Sequence, residues 1–260
     1  MKRVLKIKYN GADFAGYQFQ PDKRTVQGTL TSSLSKALGF EVKVTGCSRT
    51  DAGVHAEGFV CTVEPKNECD TIDVPVGKLH RVARRFLPCD IGIAGESVAG
   101  DDFHPRYSVV RKTYEYKMYD SPAYDPFLAS LAWQLKKPLP GNGIDVMNSC
   151  GKALVGKHDF TSFMAAGSRI TDAVREIYSL SVRRERDMTV LSVTADGVLY
   201  NMVRIITGTL TDAAYGLYTA HDIADVLEAK DRTKAGKTAP PDGLYLTEVE
   251  YPEKFDWKAD

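Results

Sequence analysis

The chain has no excess of charge of either sign: Lys plus Arg and Asp plus Glu number 34 each, for a formal net charge of +0. A basic surface spread over the whole molecule is excluded, so any face built to meet phosphate must be segregated from its balancing acids. Cysteine is sparse, and the five present, Cys47, Cys61, Cys69, Cys89 and Cys150, are odd in number with no paired short spacing. That argues against a disulfide framework or a zinc site and for reduced thiols. The five histidines, His55, His80, His104, His158 and His221, are too scattered to form a metal signature, and no metal is expected. No stretch approaches the ~20 consecutive apolar residues of a membrane span. The start, Met1 to Tyr9, carries basic residues without the continuous apolar core of a secretory signal. The expectation is a cytoplasmic protein with no membrane partner.

What is present is ordinary for a globular chain: 260 residues, 43% hydrophobic and 26% charged, enough for one large core or two smaller ones. Val4 to Tyr9 alternates as a half-buried strand, and a helix follows from Val26, capped by Thr25 and stopped by Gly39. Strands flank residues 47–56. A second helix is expected after Asp73, with Pro75 in its first turn and Leu79, Val82, Ala83 and Phe86 buried, before a strand from Ile91 to Val98. The second half repeats the cadence, with a strand at 113–119, a helix at 145–154, strands at 177–184 and 189–195, an apolar helix around Arg204, a short helix at 220–227 and a strand at 244–251. The fold class is α+β, with halves at 1–105 and 106–260 whose antiparallel sheets join side by side around a central cleft.

Two segments carry chemistry. Cys47-Ser48-Arg49-Thr50-Asp51-Ala52-Gly53-Val54-His55-Ala56 sets an acid, a guanidinium, a glycine and an imidazole between two strands, which would hold Asp51 in place. Asp-Ala-Gly is also ordinary turn composition, and Arg49 two residues from Asp51 is often only a solvated ion pair. Far along the chain, Arg204 is the single cation in an apolar helix running from about Leu199 to Leu210. A buried guanidinium needs an anion and hydrogen-bond acceptors, and Asp51 is the candidate anion; the alternative is that Arg204 snorkels to solvent. Asn201, Arg204, Gly208 and Thr211 share a stripe on which Gly208 admits a close approach by another backbone or a ligand.

These segments, with Gly16-Tyr17-Gln18-Phe19-Gln20, Arg24-Thr25-Val26-Gln27-Gly28, Arg111-Lys112-Thr113-Tyr114-Glu115-Tyr116, Lys157-His158-Asp159-Phe160-Thr161-Ser162-Phe163 and Pro240-Pro241-Asp242-Gly243-Leu244-Tyr245-Leu246, resemble the tRNA pseudouridine synthase A family in order and spacing over nearly the whole chain. Tyr17 stands where that family usually has Trp, Ser48 where it often has Gly, and Gly58 where it commonly has Gln. The resemblance implies ferredoxin-like or RRM-like halves, a homodimer, tRNA as partner and isomerisation of uridine to pseudouridine in the anticodon stem-loop, at positions 38 to 40 of tRNA's own numbering. No cofactor is needed for a reaction without net redox change. It further implies Asp51 as the catalytic carboxylate, supported by Arg49, Tyr114 and Arg204, with Tyr114 and Leu244 against the base. Tyr116, His55 and His158 are assigned to packing or hydrogen-bonded structure. Candidates for a segregated positive face are Lys23, Arg24, the run from His80 to Arg85, Arg106, Arg111, Lys112 and Arg169. A noncatalytic RNA-binding module is the alternative, though no aromatic RNP-like string marks a central strand. An Asp-based hydrolase or metal enzyme lacks a second carboxylate or ligand cluster near Asp51.

Overall fold

The computed structural model describes residues 1–167, 171–252 and 254–258. The chain is mixed α+β with mostly antiparallel strands, and it divides into two compact units, Met1–Val110 with Leu246–Asp260, and Arg111–Tyr245. Leu246 onward therefore groups with the first unit, where the sequence had placed it in the second half. Backbone pairing and aromatic packing hold it there: the strand Leu244–Glu250 lies beside His55–Pro65, Phe103 meets Tyr251 and Phe255 with ring centroids 5.1 and 5.2 Å apart, and the Tyr251 hydroxyl donates to the Pro105 carbonyl at 2.7 Å.

The first unit contains β1 (Lys2–Tyr9), α1 (Val26–Leu38), β2 (Val42–Gly46), β3 (His55–Pro65), α2 (Leu79–Ala83) and β4 (Ile91–Ala99), with strands in the order β4-β1-β3-β2, all antiparallel. In β1 the alternating Leu5, Ile7 and Tyr9 are buried, and Val4 joins them because it is also covered. The capping signals of α1 are used as read: the Thr25 side chain accepts from the Gly28 amide, and Gly39 adopts φ 82°. α2 is far shorter than expected. Gly77 turns at φ 88° after Pro75, so the helix begins only at Leu79, and Val82 and Phe86 are exposed rather than buried.

The second unit holds β5 (Arg111–Tyr119), β6 (Trp133–Gln134), α3 (Gly143–Gly151), β7 (Gly156–Asp159), β8 (Val174–Glu185), β9 (Met188–Ala195), α4 (Met202–Ala214) and α5 (Ala220–Ala229). Its strands run β5-β9-β8-β7, antiparallel, with the two-residue β6 parallel to the end of β5. Asn148 of α3 pins the helix to the sheet by a two-way exchange with the Val182 backbone, each bond 2.8 Å. Every residue of α4 except Arg204 and Asp212 is buried, which is why its sequence reads apolar on almost all sides. The last strand, β10 (Leu244–Glu250), begins in this unit and continues in the first. Among the described residues no helix is long and apolar enough to cross a membrane.

Candidate active site

Asp51 lies on the eight-residue connection between β2 and β3, and its neighbours are fixed more firmly than a surface turn requires. The Thr50 and Tyr9 hydroxyls share a buried hydrogen bond of 2.8 Å, and the Thr50 carbonyl accepts from the Tyr17 amide at 3.0 Å. On the other side, the Val54 amide donates to the Asp51 carbonyl at 3.2 Å, and the buried His55 accepts from the Gly11 amide through Nδ1 at 3.0 Å. An imidazole that accepts at Nδ1 carries its proton on Nε2, so His55 serves as a structural acceptor here. Two glycines allow the loop to sit this close to residues 11–17. A Cβ at Gly11 would collide with the Val54 carbonyl oxygen, and one at Gly16, which adopts φ 97°, would lie 2.8 Å from the Thr50 oxygen. Asp51 itself is half-buried, while Arg49 is exposed and makes no ion pair among the described residues. The rim ion pair between them is thus not formed in this way, and the guanidinium projects from a rigid loop.

Tyr17, Phe59 and Gly46 form the floor of this region. The Tyr17 and Phe59 rings stack at 4.3 Å, and Gly46 leaves room for the phenol, whose buried oxygen has no hydrogen-bond partner among the described residues. Burial pushes that phenol's pKa well above its ordinary value, so it remains a neutral packing group.

In the second unit the sequence-predicted residues converge on one segment. Arg204 donates from Nε to the Ala239 carbonyl and from Nη1 to Asn201 Oδ1, both at 2.7 Å, while its own carbonyl accepts from the Ala239 amide at 3.1 Å. The sequence expected an anion for this guanidinium; the acceptors it has within its own unit are neutral carbonyls, aligned by Asn201 in the left-handed region at φ 60°. Gly208 admits the approach foreseen for it, since a Cβ there would collide with the Lys237 carbonyl oxygen. Gly236 donates to Thr209 Oγ1 at 2.9 Å, and Lys237 pairs with Asp212 at 2.7 Å, so residues 236–239 lie along α4 as a strap.

That strap delivers Leu244. The Tyr116 hydroxyl donates to the Pro240 carbonyl at 2.7 Å, one residue beyond the carbonyl held by Arg204. A single 3-10 turn, Pro241–Gly243, then leads into β10, with Gly243 pressed so closely on Tyr116 that a Cβ would lie 2.7 Å from the ring. Leu244 emerges buried, as is Tyr114, which shares a face of β5 with Tyr116 by strand alternation. Burial raises the Tyr116 phenol's pKa, with the Arg204 charge opposing it, so the hydroxyl stays a donor. Sequence reasoning missed this positioning role of Tyr116. The signal was faint: Pro240 precedes the turn and lies in no helix or strand, so its carbonyl needs a partner from elsewhere.

Other expectations are placed as follows. His158 meets the Val155 carbonyl through Nε2 at 3.0 Å. Arg24 is taken by Asp90 in a two-pronged pair at 2.8 and 3.0 Å and lies over the Phe14 ring, so it is a held cation. Arg169 lies outside the described residues. All five cysteines are free thiols, and among the described residues no cluster of three or more His, Cys, Asp or Glu could hold a metal ion.

A family model described as tRNA pseudouridine synthase matches residues 151–252, the stretch that carries α4, the strap and Leu244. The class defined is that of the pseudouridine synthases, which are isomerases. The chain is 37% identical over 248 residues to tRNA pseudouridine synthase A of Thermoanaerobacter sp. (strain X514), covering 95% of this chain and 98% of that protein. It is 40% identical to the Halalkalibacterium halodurans protein of the same name, over 94% of this chain and 90% of that one, and 39% identical to the Brevibacillus brevis protein, over 96% and 100%. The chain belongs to the tRNA pseudouridine synthase A family. A chain of a solved Cbf5-Nop10-Gar1 complex is matched distantly, with a TM-score of 0.34 and 12% identity over 94% of this chain and 58% of that one.

Proposed function

We propose that this protein isomerises uridine to pseudouridine in the anticodon stem-loop of tRNA, at positions 38 to 40, with Asp51 as the catalytic carboxylate. The observation that carries the reading is the anchoring of Thr50, Val54 and His55 on both sides of a half-buried Asp51, which pre-organises one acid at the end of a sheet. The reaction breaks the bond between ribose C1′ and base N1, turns the base, joins C1′ to C5, releases the C5 proton to solvent and leaves N1 to take up a proton, with no net change in atoms or oxidation state. A carboxylate serves either as nucleophile toward C1′ or C6 or as base toward a ribose proton.

A stacked uridine must first leave the helix, at a cost on the order of a few kcal/mol. In this reading Arg49, exposed on its rigid loop, reaches the target's phosphate and steadies the extruded nucleotide. Tyr114 offers a ring face to the base and a phenol to carry the proton leaving C5, and Leu244 lies against the base. Arg204 supports the site through the strap that ends at Leu244. Two ferredoxin-like halves, a homodimer and a cytoplasmic site of action belong to the same reading, supported by resemblance alone.

The experiment is release of tritium from C5-labelled uridine in tRNA. Wild-type protein is expected to release it stoichiometrically with carbodiimide-reactive pseudouridine, and Asp51→Asn to release none at matched tRNA binding. Near-normal release by Asp51→Asn would remove Asp51 from the chemistry, and a wild-type protein that binds tRNA without forming pseudouridine would make it the noncatalytic module.

A further inference from the structure

Gly16 to Gln20, which braces the Asp51 loop, and Arg24 to Gly28, which opens α1, together build a second surface within the first unit. A groove of about 530 Å³ runs over α1, lined among others by Phe19, Lys23, Thr29, Ser32, Lys36 and Phe86. In a chain with as many acids as bases, no described carboxylate lines it. Lys23 and Lys36 are exposed and make no ion pair among the described residues. The helix N-terminus is not the anion site, because the first amides of α1 are spent on Gly16, Tyr17 and Thr25. Arg24 lines the groove too but is held by Asp90, so an anion here is met chiefly by the two ammonium groups and the hydroxyls.

Phe19 is held as a platform. Its amide donates to Gln27 Oε1 at 2.9 Å, and Gln27 is itself fixed by donating to the Val44 carbonyl at 2.9 Å. Gly28 lets the ring rest on the helix, since a Cβ there would lie 3.1 Å from Phe19 Cδ2, and the ring remains 60% exposed. Phe86, 40% exposed, stands in the same groove, brought there by the Ser33 hydroxyl donating to its carbonyl at 2.9 Å. The platform is continuous with the Asp51 loop. Tyr17 donates to the Thr50 carbonyl, and Phe19 follows two residues later, a reach of at most about 7 Å along the chain.

An aromatic face beside lysines and hydroxyls, without acids, is the chemistry that takes a single-stranded polynucleotide: bases stack and phosphates find cations. We propose that the α1 groove holds the RNA strand next to the target uridine, with a neighbouring base on Phe19 and phosphates on Lys23 and Lys36. This rests on the tRNA reading above and assigns it a subsite.

The test uses the full-length protein and an unmodified tRNA transcript. Lys23→Gln/Lys36→Gln is expected to weaken tRNA binding about tenfold and to lower the slope of log affinity against log salt by about 1.5, the release expected for two phosphates. Phe19→Ala is expected to weaken binding about tenfold and Phe19→Tyr to restore it, with the loss falling in KM far more than in kcat. Wild-type affinity and salt slope in the lysine variant would overturn the groove, whatever the stability of Phe19→Ala; that outcome also covers a groove reserved for an acidic protein. If these variants match a wild type that does form pseudouridine, the groove alone falls, whereas a wild type that neither binds nor modifies tRNA sinks the functional reading with it.

Discussion

At the scale of single residues, the second unit separates a group that positions from one that is proposed to react. Tyr116 is fully buried and spends its hydroxyl on Pro240, so Tyr116→Phe removes one hydrogen bond and leaves a carbonyl unpaired, a loss of about 1 kcal/mol or somewhat more. Urea denaturation is expected to show that loss, with tRNA turnover falling only as far as Leu244 shifts. Tyr114→Phe is expected to behave oppositely, lowering turnover by at least tenfold with tRNA affinity nearly retained; equal loss of both would make that phenol structural. Arg204 combines the two concerns. Replacing it with Ala leaves Ala239 and Asn201 without their charged donor, and charge-assisted bonds of this kind contribute about 1.5 to 3 kcal/mol each. A wild-type melting curve for Arg204→Ala would show that the strap does not depend on it.

At the scale of elements, α4 and its strap make the clearest case that backbone proximity was encoded. Gly208→Ala must push the Lys237 carbonyl away, so it is expected to cost about 1 to 3 kcal/mol despite Ala's better helix propensity, and to lower turnover by moving Ala239 to Leu244. Differential scanning calorimetry checks the sign: a stabilised variant would mean the strap yields freely. Much of this level was legible, because each signal was local. Thr25 and Gly39 bound α1, the alternation of β1 named its buried face, and the lone cation in an apolar stretch pointed to Arg204. What was not legible depended on partners distant in sequence. The tight turn at Gly77 shortened α2 and put Phe86 in a groove instead of a core, β6 is a two-residue strand with no period to detect, and the strap shows no pattern until α4 is beside it.

At the scale of the whole molecule, the carboxy-terminal segment does what no local pattern announced: it closes a sheet edge. Glu96 and Lys258 exchange backbone hydrogen bonds of 2.8 and 2.9 Å, and Trp257 covers Gly95 on the outer strand β4. The Glu96 carboxylate, buried in the same place, pairs with Arg3 at 2.5 Å and accepts from the amides of Gly77 and Leu79. Deleting residues 251–260 removes four edge-on or tilted aromatic contacts and exposes the unpaired edge of β4, a loss on the order of a few kcal/mol. Glu96→Ala leaves Arg3 buried without its anion, a loss of about 3 to 5 kcal/mol. Both changes belong to the first unit, so hydrogen exchange should speed up in β1 and β4 while the amides of α4 and β9 keep their protection. Uniform acceleration across both units would mean that they unfold as one and that the division of contacts has no counterpart in stability.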